Sequence, residues 1–207
     1  MKISDYPTLA MRTAVYPKEH SLSYPILGLI SELTELHDKA SQTTPKYAQH
    51  NTLIRDNIRA ELGDVYWYMA AICVHFDWKF EELIDPAHMS NTGYNANFYL
   101  PDTYLLGHIG DLAGKAKKLL RGDYTPYSGA EDYIWRSLRS IHTILLEWML
   151  YLCIDEDLPE APRDLFPESS VWLTRDYALI YATLNENIAK LSQRLDRGTI
   201  QGDGDNR

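Results

Sequence analysis

Glu61-Leu62-Gly63-Asp64-Val65-Tyr66-Trp67-Tyr68 lies within a stretch, Ile54 to Phe76, whose apolar residues recur at helical spacing. Leu62, Val65, Met69, Ile72 and Phe76 follow one another at steps of three and four, which predicts a helix with an apolar centre. Glu61, Asp64 and Tyr68 line one edge of that helix at the same steps, and His75 lies further along it. Charge inside so apolar a helix is costly unless it is paired or binds an ion. Gly63 in mid-helix costs roughly 1 kcal/mol against Ala, which is tolerable where another backbone packs against it.

A second acidic pair precedes the first. Ile26, Leu29, Ile30, Leu33 and Leu36 form an apolar stripe at helical spacing, and Glu32 and Glu35 lie off its flank. Residues three apart on a helix share a face, so each pair points two carboxylates toward one spot. Side-by-side packing of the two helices would make Glu32, Glu35, Glu61 and Asp64 converge. Like charges in a partly buried site raise each other's pKa, and a hard cation such as Mg²⁺ with oxygen ligands resolves the repulsion. The spacing alone is weak: with 29 acids in 207 residues, pairs such as Glu82/Asp85 and Asp157/Glu160 arise without any role.

Composition narrows the class. A net charge of −9 argues against a broad surface for a nucleic-acid polymer. It leaves room for a small phosphate site, where a metal and a few cations reverse the local field. Cys73 and Cys153 fall in apolar helical stretches and read as core residues, so no disulfide framework is expected and a reducing cytoplasm fits. Met1 to Arg12 holds no long apolar segment of the signal-peptide kind. The longest apolar runs, Val65–Phe76 and Ile141–Ile154, fall short of the roughly 18 residues of a membrane span, so no membrane partner is expected.

Further helices are predicted over Tyr104–Leu120, Ala130–Ile154 and Ser170–Arg194, with connections at 85–102, Gly122–Gly129 and 155–170. The polar stretch Ser41 to Asn51 breaks the pattern between the two acidic helices. Two halves look alike: Leu27-Gly28-Leu29-Ile30-Ser31-Glu32-Leu33 aligns with Leu106-Gly107-His108-Ile109-Gly110-Asp111-Leu112. Glu61-Leu62-Gly63-Asp64 aligns with Ile144-Leu145-Leu146-Glu147, and Tyr68 with Tyr151. The expected fold is therefore all-α, one domain over 1–207, a helical bundle of two repeated hairpins. The halves are 12–84, with the acids, and 103–197, which keeps only Asp111 and Glu147. The glycine-rich tail, 198–207, is expected to be flexible without ligand.

The segments Leu27-Gly28-Leu29 leading into Glu32-x-x-Glu35, then Glu61-Leu62-Gly63-Asp64-Val65-Tyr66-Trp67-Tyr68, carry a resemblance. Asn187-Ile188-Ala189-Lys190-Leu191, Arg194 and the tail from Arg197 to Arg207 add to it, as does Arg12-Thr13-Ala14-Val15-Tyr16-Pro17. Together they resemble the MazG-like all-α nucleoside triphosphate pyrophosphohydrolases, whose signature is E-x-x-E, a gap, then E-x-x-D. Residues 12–80 and 180–207 match well. The middle matches only as a decayed repeat, as in members that fuse two units.

The resemblance implies cleavage of a nucleoside triphosphate, a dNTP first among them, between the α- and β-phosphates, as nucleotide-pool housekeeping. It makes Glu32, Glu35, Glu61 and Asp64 ligands of Mg²⁺, with Mn²⁺ as a substitute, and Glu35 or Glu32 the acceptor of the water's proton. It makes Asn187 and Lys190 a nucleotide- and phosphate-binding pair, with Arg194 beside them. Those residues lie in the second half, so the two halves must pack into one composite site. Tyr68 reads equally as a substrate contact or core, and Trp67 as core or a base-stacking wall. Lys115, Lys117, Lys118 and Arg121 read as a solvated helix end or a phosphate patch. Bundle faces of this kind also assemble, so a homodimer is consistent with the chain. The rival reading is a non-catalytic nucleotide-binding or assembly module. A di-iron bundle would need Glu-x-x-His on facing helices, which the chain lacks.

Overall fold

The computed structural model describes residues 1–86, 102–123, 129–152 and 174–200. Among these the regular structure is entirely helical: α1 (Tyr6–Ala10), α2 (Ser23–Ser41), α3 (Pro45–Gln49), α4 (Thr52–Phe76), α5 (Phe80–Leu83), α6 (Asp102–Leu120), α7 (Ala130–Leu152) and α8 (Thr174–Asp196). The five long helices coincide with the periodic stretches. The break from Ser41 to Asn51 contains α3, where Pro45 opens the turn and Thr44 Oγ1 accepts from Tyr47 N at 3.3 Å. Cys153, the connection at 155–170, and residues 87–101 and 124–128 of the connections expected at 85–102 and Gly122–Gly129 lie outside the described residues, as does the tail beyond 200. Among the described residues no helix is long and apolar enough to cross a membrane.

α4 is bounded by its own chemistry. Asn51 caps it, its side chain accepting from Ile54 N at 3.2 Å. At the other end Asp77 turns left-handed, φ 55°, and Trp78 N donates to Cys73 O at 2.9 Å. The chain then leaves the helix axis, and Trp78 stacks on Phe76.

α2 packs most extensively on α4, and the two run antiparallel: Gly28 faces Tyr68, whereas Lys39, later in α2, meets Glu61, earlier in α4. α8 and α1 pack on α4, and α6 joins α2 to α7. One hydrophobic cluster runs through all of them, from Leu29, Leu33 and Leu62 to Ile141, Leu145 and Leu184. Cys73 belongs to it, its thiol pushed up to about 12 by burial. At about 0.8 kcal/mol per buried CH₂, this shared core, rather than intrinsic helix propensity, holds α4 central. Polar links add direction. Arg59 of α4 reaches Glu186 of α8 at 2.9 Å.

Tyr66 and His142 tie α4 to α7 in the dry interior, hydroxyl to Nδ1 at 3.1 Å. Burial, aided by Arg139, pushes the His142 imidazole down to about 3 from an ordinary 6.5. Between these values the unfolded chain binds a proton at His142 that the native chain does not. Stability therefore falls as pH drops below about 6.5, by about 1.4 kcal/mol per pH unit for this group. Urea unfolding from pH 6.5 to 4 should show a shallower acid loss, by close to one proton, in His142→Phe than in the wild type. Equal slopes would remove His142 as the source.

Candidate metal centre

Antiparallel pairing of α2 and α4 brings their acidic edges together. One carboxylate oxygen each from Glu32, Glu61 and Asp64 lies within 4.8 Å of the others. Glu61 is 2% exposed, and Glu32 and Asp64 are half-buried. The Glu32 carboxyl is pushed up to about 8, first by burial and then by Asp64, Glu35 and Glu61, against a downward pull from Lys190. No other group of three His, Cys, Asp or Glu with such closeness occurs among the described residues.

Glu35 stands apart from this group. It lies one turn of α2 beyond Glu32, at an exposed position. There its carboxylate accepts from Ser31 Oγ at 3.5 Å and forms part of the cleft wall described below.

Two ammonium groups sit among the acids. Lys39, in the last turn of α2, donates to Glu61 Oε1. Lys190 of α8 donates to Asp64 Oδ2 at 2.5 Å. The other Asp64 oxygen accepts from Asn187 Nδ2 at 2.9 Å. The two halves of the sequence thus meet at Asp64. The close approach depends on Gly63: a Cβ there would lie 3.0 Å from both Cβ and Nδ2 of Asn187. Asn187 itself is buried, and its Oδ1 accepts from the Tyr6 hydroxyl at 2.9 Å.

Beside the acids opens a cleft. Glu32, Glu35 and Asp64 form its acidic wall, and Tyr16, Tyr24, Trp67 and Tyr68 its aromatic one. Arg194 and Ile200 contribute from the end of α8 and just beyond it. Tyr16 stacks on Tyr24 with centroids 4.7 Å apart, and Trp67 meets Tyr68 edge-on at 4.8 Å. Trp67 is anchored by its Nε1, which donates to Ala10 O and Thr13 Oγ1, both at 3.0 Å. Tyr68 lies over Gly28, where a Cβ would stand 2.1 Å from the ring. Burial, with Tyr24, Glu32 and Asp64 nearby, raises the Tyr68 hydroxyl well above its usual range, so it is a hydrogen-bond donor rather than a phenolate.

Hard oxygen donors of this kind suit Mg²⁺ or Mn²⁺. Adjacent ligands on octahedral Mg²⁺ are about 3.0 Å apart and opposite ones about 4.2 Å, so oxygens within 4.8 Å would draw together by up to about 2 Å on binding. A divalent cation would also offset the burial and the neighbouring charges that raise Glu32.

The second half offers no comparable group among the described residues. Asp111 is exposed and accepts from the Tyr133 hydroxyl. Gly114 and Ile144 stand where the repeat has Glu35 and Glu61, and Ile144 is core. Glu147 is half-buried, its carboxyl raised by burial and by Asp176. In the basic cluster, Lys115 lies over the Tyr133 ring at 4.7 Å and Arg121 pairs with Asp123.

Sequence reasoning missed Lys39, Tyr6 and Tyr24. Lys39 is seven residues after Glu32, two helical turns along the same face, and that step was the available signal. Tyr6 carried none, because only the docking of α1 on α4 and α8 brings it near.

Gly63 and Gly107 provide a matched test of this packing. Asn187 is pinned by Tyr6 and Asp64, so a methyl on Gly63 must push α8 away. Gly63→Ala should lower unfolding stability by about 1–3 kcal/mol. At Gly107 a methyl would meet nothing within 4 Å, and Gly107→Ala should gain up to about 1 kcal/mol. Equal effects in urea unfolding would contradict the close approach.

The chain matches the Gene 37 protein of Mycobacterium phage L5 with 33% identity over 87 residues, spanning 37% of this chain and 74% of that protein. No family model matches the chain, and no solved structure does. At that identity and coverage, this chain belongs to the family of the Gene 37 protein of Mycobacterium phage L5.

Proposed function

We propose that the chain is a Mg²⁺-dependent nucleoside triphosphate pyrophosphohydrolase of the MazG-like all-α kind, acting on a dNTP. On this reading α2 with α4, and α6 with α7, are the two hairpins of a fused pair, and the second has lost its acids. The observation that carries the proposal is the meeting of Glu32, Glu61 and Asp64 with Lys190 at the edge of an aromatic cleft.

Each part fits a step. Glu32, Glu61 and Asp64 would hold Mg²⁺, with Glu35 as a further ligand once it turns inward or as the acceptor of the water's proton. Bound there, the metal neutralises triphosphate charge and lowers the pKa of a water. Lys190 and Arg194 supply positive charge from α8 for the phosphates, Lys as a point charge and Arg as a fork. The faces of Tyr16, Tyr24, Trp67 and Tyr68 suit a nucleobase, since every base stacks on an aromatic ring. Water adds at the α-phosphorus, the α–β anhydride bond breaks, and its electron pair leaves on pyrophosphate. The products are a nucleoside monophosphate and pyrophosphate.

Pyrophosphate release from a dNTP panel with Mg²⁺ tests the proposal. Glu61→Gln should reduce turnover by roughly 100-fold or more, since even an outer partner of a metal ligand is worth about 10- to 100-fold. Its circular dichroism should stay that of the wild type. Glu147→Gln should retain most of the activity. Binding of dNTPs without pyrophosphate release in the wild type would instead support a nucleotide-binding module and overturn the enzyme.

A further inference from the structure

Asn187 is 3% exposed and does not line the cleft. Its amide is held at both ends in the interior: Nδ2 donates to Asp64 Oδ1 and Oδ1 accepts from Tyr6, each at 2.9 Å. A carboxylate only accepts, so the amide nitrogen must face Asp64 and the amide oxygen must face the hydroxyl. Turning the amide over would set its oxygen against the Asp64 carboxylate. Tyr6 is itself fully buried and stacked on Phe80, with centroids 5.3 Å apart, so its ring is fixed. Burial and the Asp64 charge keep its hydroxyl protonated, as the donor role requires.

We infer that Asn187 is a positioning residue for Asp64, held in orientation by the Tyr6 hydroxyl, and not a group that grips the nucleotide. The inference rests on the reading of Asp64 as a metal ligand. Asn187 takes one lone-pair direction of Oδ1 and Lys190 one of Oδ2. The carboxylate plane is thereby set, and the remaining lone pairs are left for an ion shared with Glu32 and Glu61. Rotation of Asp64 would cost both bonds. Gly63 belongs to the same arrangement, because a Cβ there would crowd Asn187 at 3.0 Å. A fixed partner on a ligand is worth as much to metal binding as the ligand's own geometry, and its loss typically costs about 10- to 100-fold in affinity.

The test is Mn²⁺ titration of nucleotide-free protein, followed by the loss of the free-ion electron paramagnetic resonance signal. Tyr6→Phe keeps the ring and its stacking and removes only the hydroxyl. Asn187→Ala removes the amide. Each should weaken Mn²⁺ binding by roughly 10-fold, and the double variant should be no weaker than Asn187→Ala alone. At saturating Mg²⁺, KM for the dNTP that the wild type hydrolyses fastest should be unchanged in both. Unchanged Mn²⁺ affinity in both variants, or a raised KM with metal affinity intact, would overturn the positioning role while leaving the metal site standing. A wild type that binds no Mn²⁺ would overturn the metal site and the positioning role together.

Discussion

A methyl group on Gly63 would stand 3.0 Å from two atoms of Asn187, so the absence of that methyl sets how near α8 comes to α4. The rest of the site depends on this approach. With α8 at that distance, Asn187 and Lys190 take the two oxygens of Asp64, and Arg194 reaches the cleft one helical turn further on. With α8 shifted by even a few tenths of an ångström, the bonds from Asn187 and Lys190 to Asp64 would lengthen. The helix gives up intrinsic propensity at Gly63. It gains a fixed carboxylate in return.

Charge balance explains the rest of the arrangement. Three partly or wholly buried carboxylates within 4.8 Å of one another repel strongly in an interior that screens poorly. Lys39 and Lys190 answer two of them, one from each neighbouring helix. Glu32 makes no such bond to either lysine, although Lys190 pulls its carboxyl down, and the carboxyl is driven up to about 8. Burial is the largest cause and the acidic neighbours follow, so Glu32 keeps its proton at neutral pH on the wall of the aromatic cleft. On the proposed reading, a divalent ion bound there would displace that proton and bring a phosphate-binding charge to the same place.

The long helices were legible because burial imposes a 3.6-residue period: Leu29, Leu33 and Leu36, or Leu62, Val65 and Met69, announce a buried face. The one-turn helices α1, α3 and α5 were not, since so few residues carry no period and owe their form to docking. Only the Thr44–Pro45 cap offered a local clue. At the site, the three-residue step grouped Glu32, Glu61 and Asp64 with Glu35. Position on the helix circumference then separates Glu35, which the step alone cannot express. Asn187 and Lys190 were reached through resemblance, and the structure puts both on Asp64. Their environments differ: Asn187 is sealed in the interior, whereas the Lys190 side chain is 27% exposed. Burial of that kind is a property of the packed molecule, so no spacing in the chain could have divided the pair.

On the proposed reading, α2, α4 and α8 form a divalent-cation site before any nucleotide arrives. Anomalous diffraction from crystals soaked in Mn²⁺ without nucleotide tests it most directly. The account predicts a manganese peak between Glu32, Glu61 and Asp64, with the Lys39 ammonium moved off Glu61. A saturating soak that leaves this position empty, or puts manganese only on other acids, would contradict it.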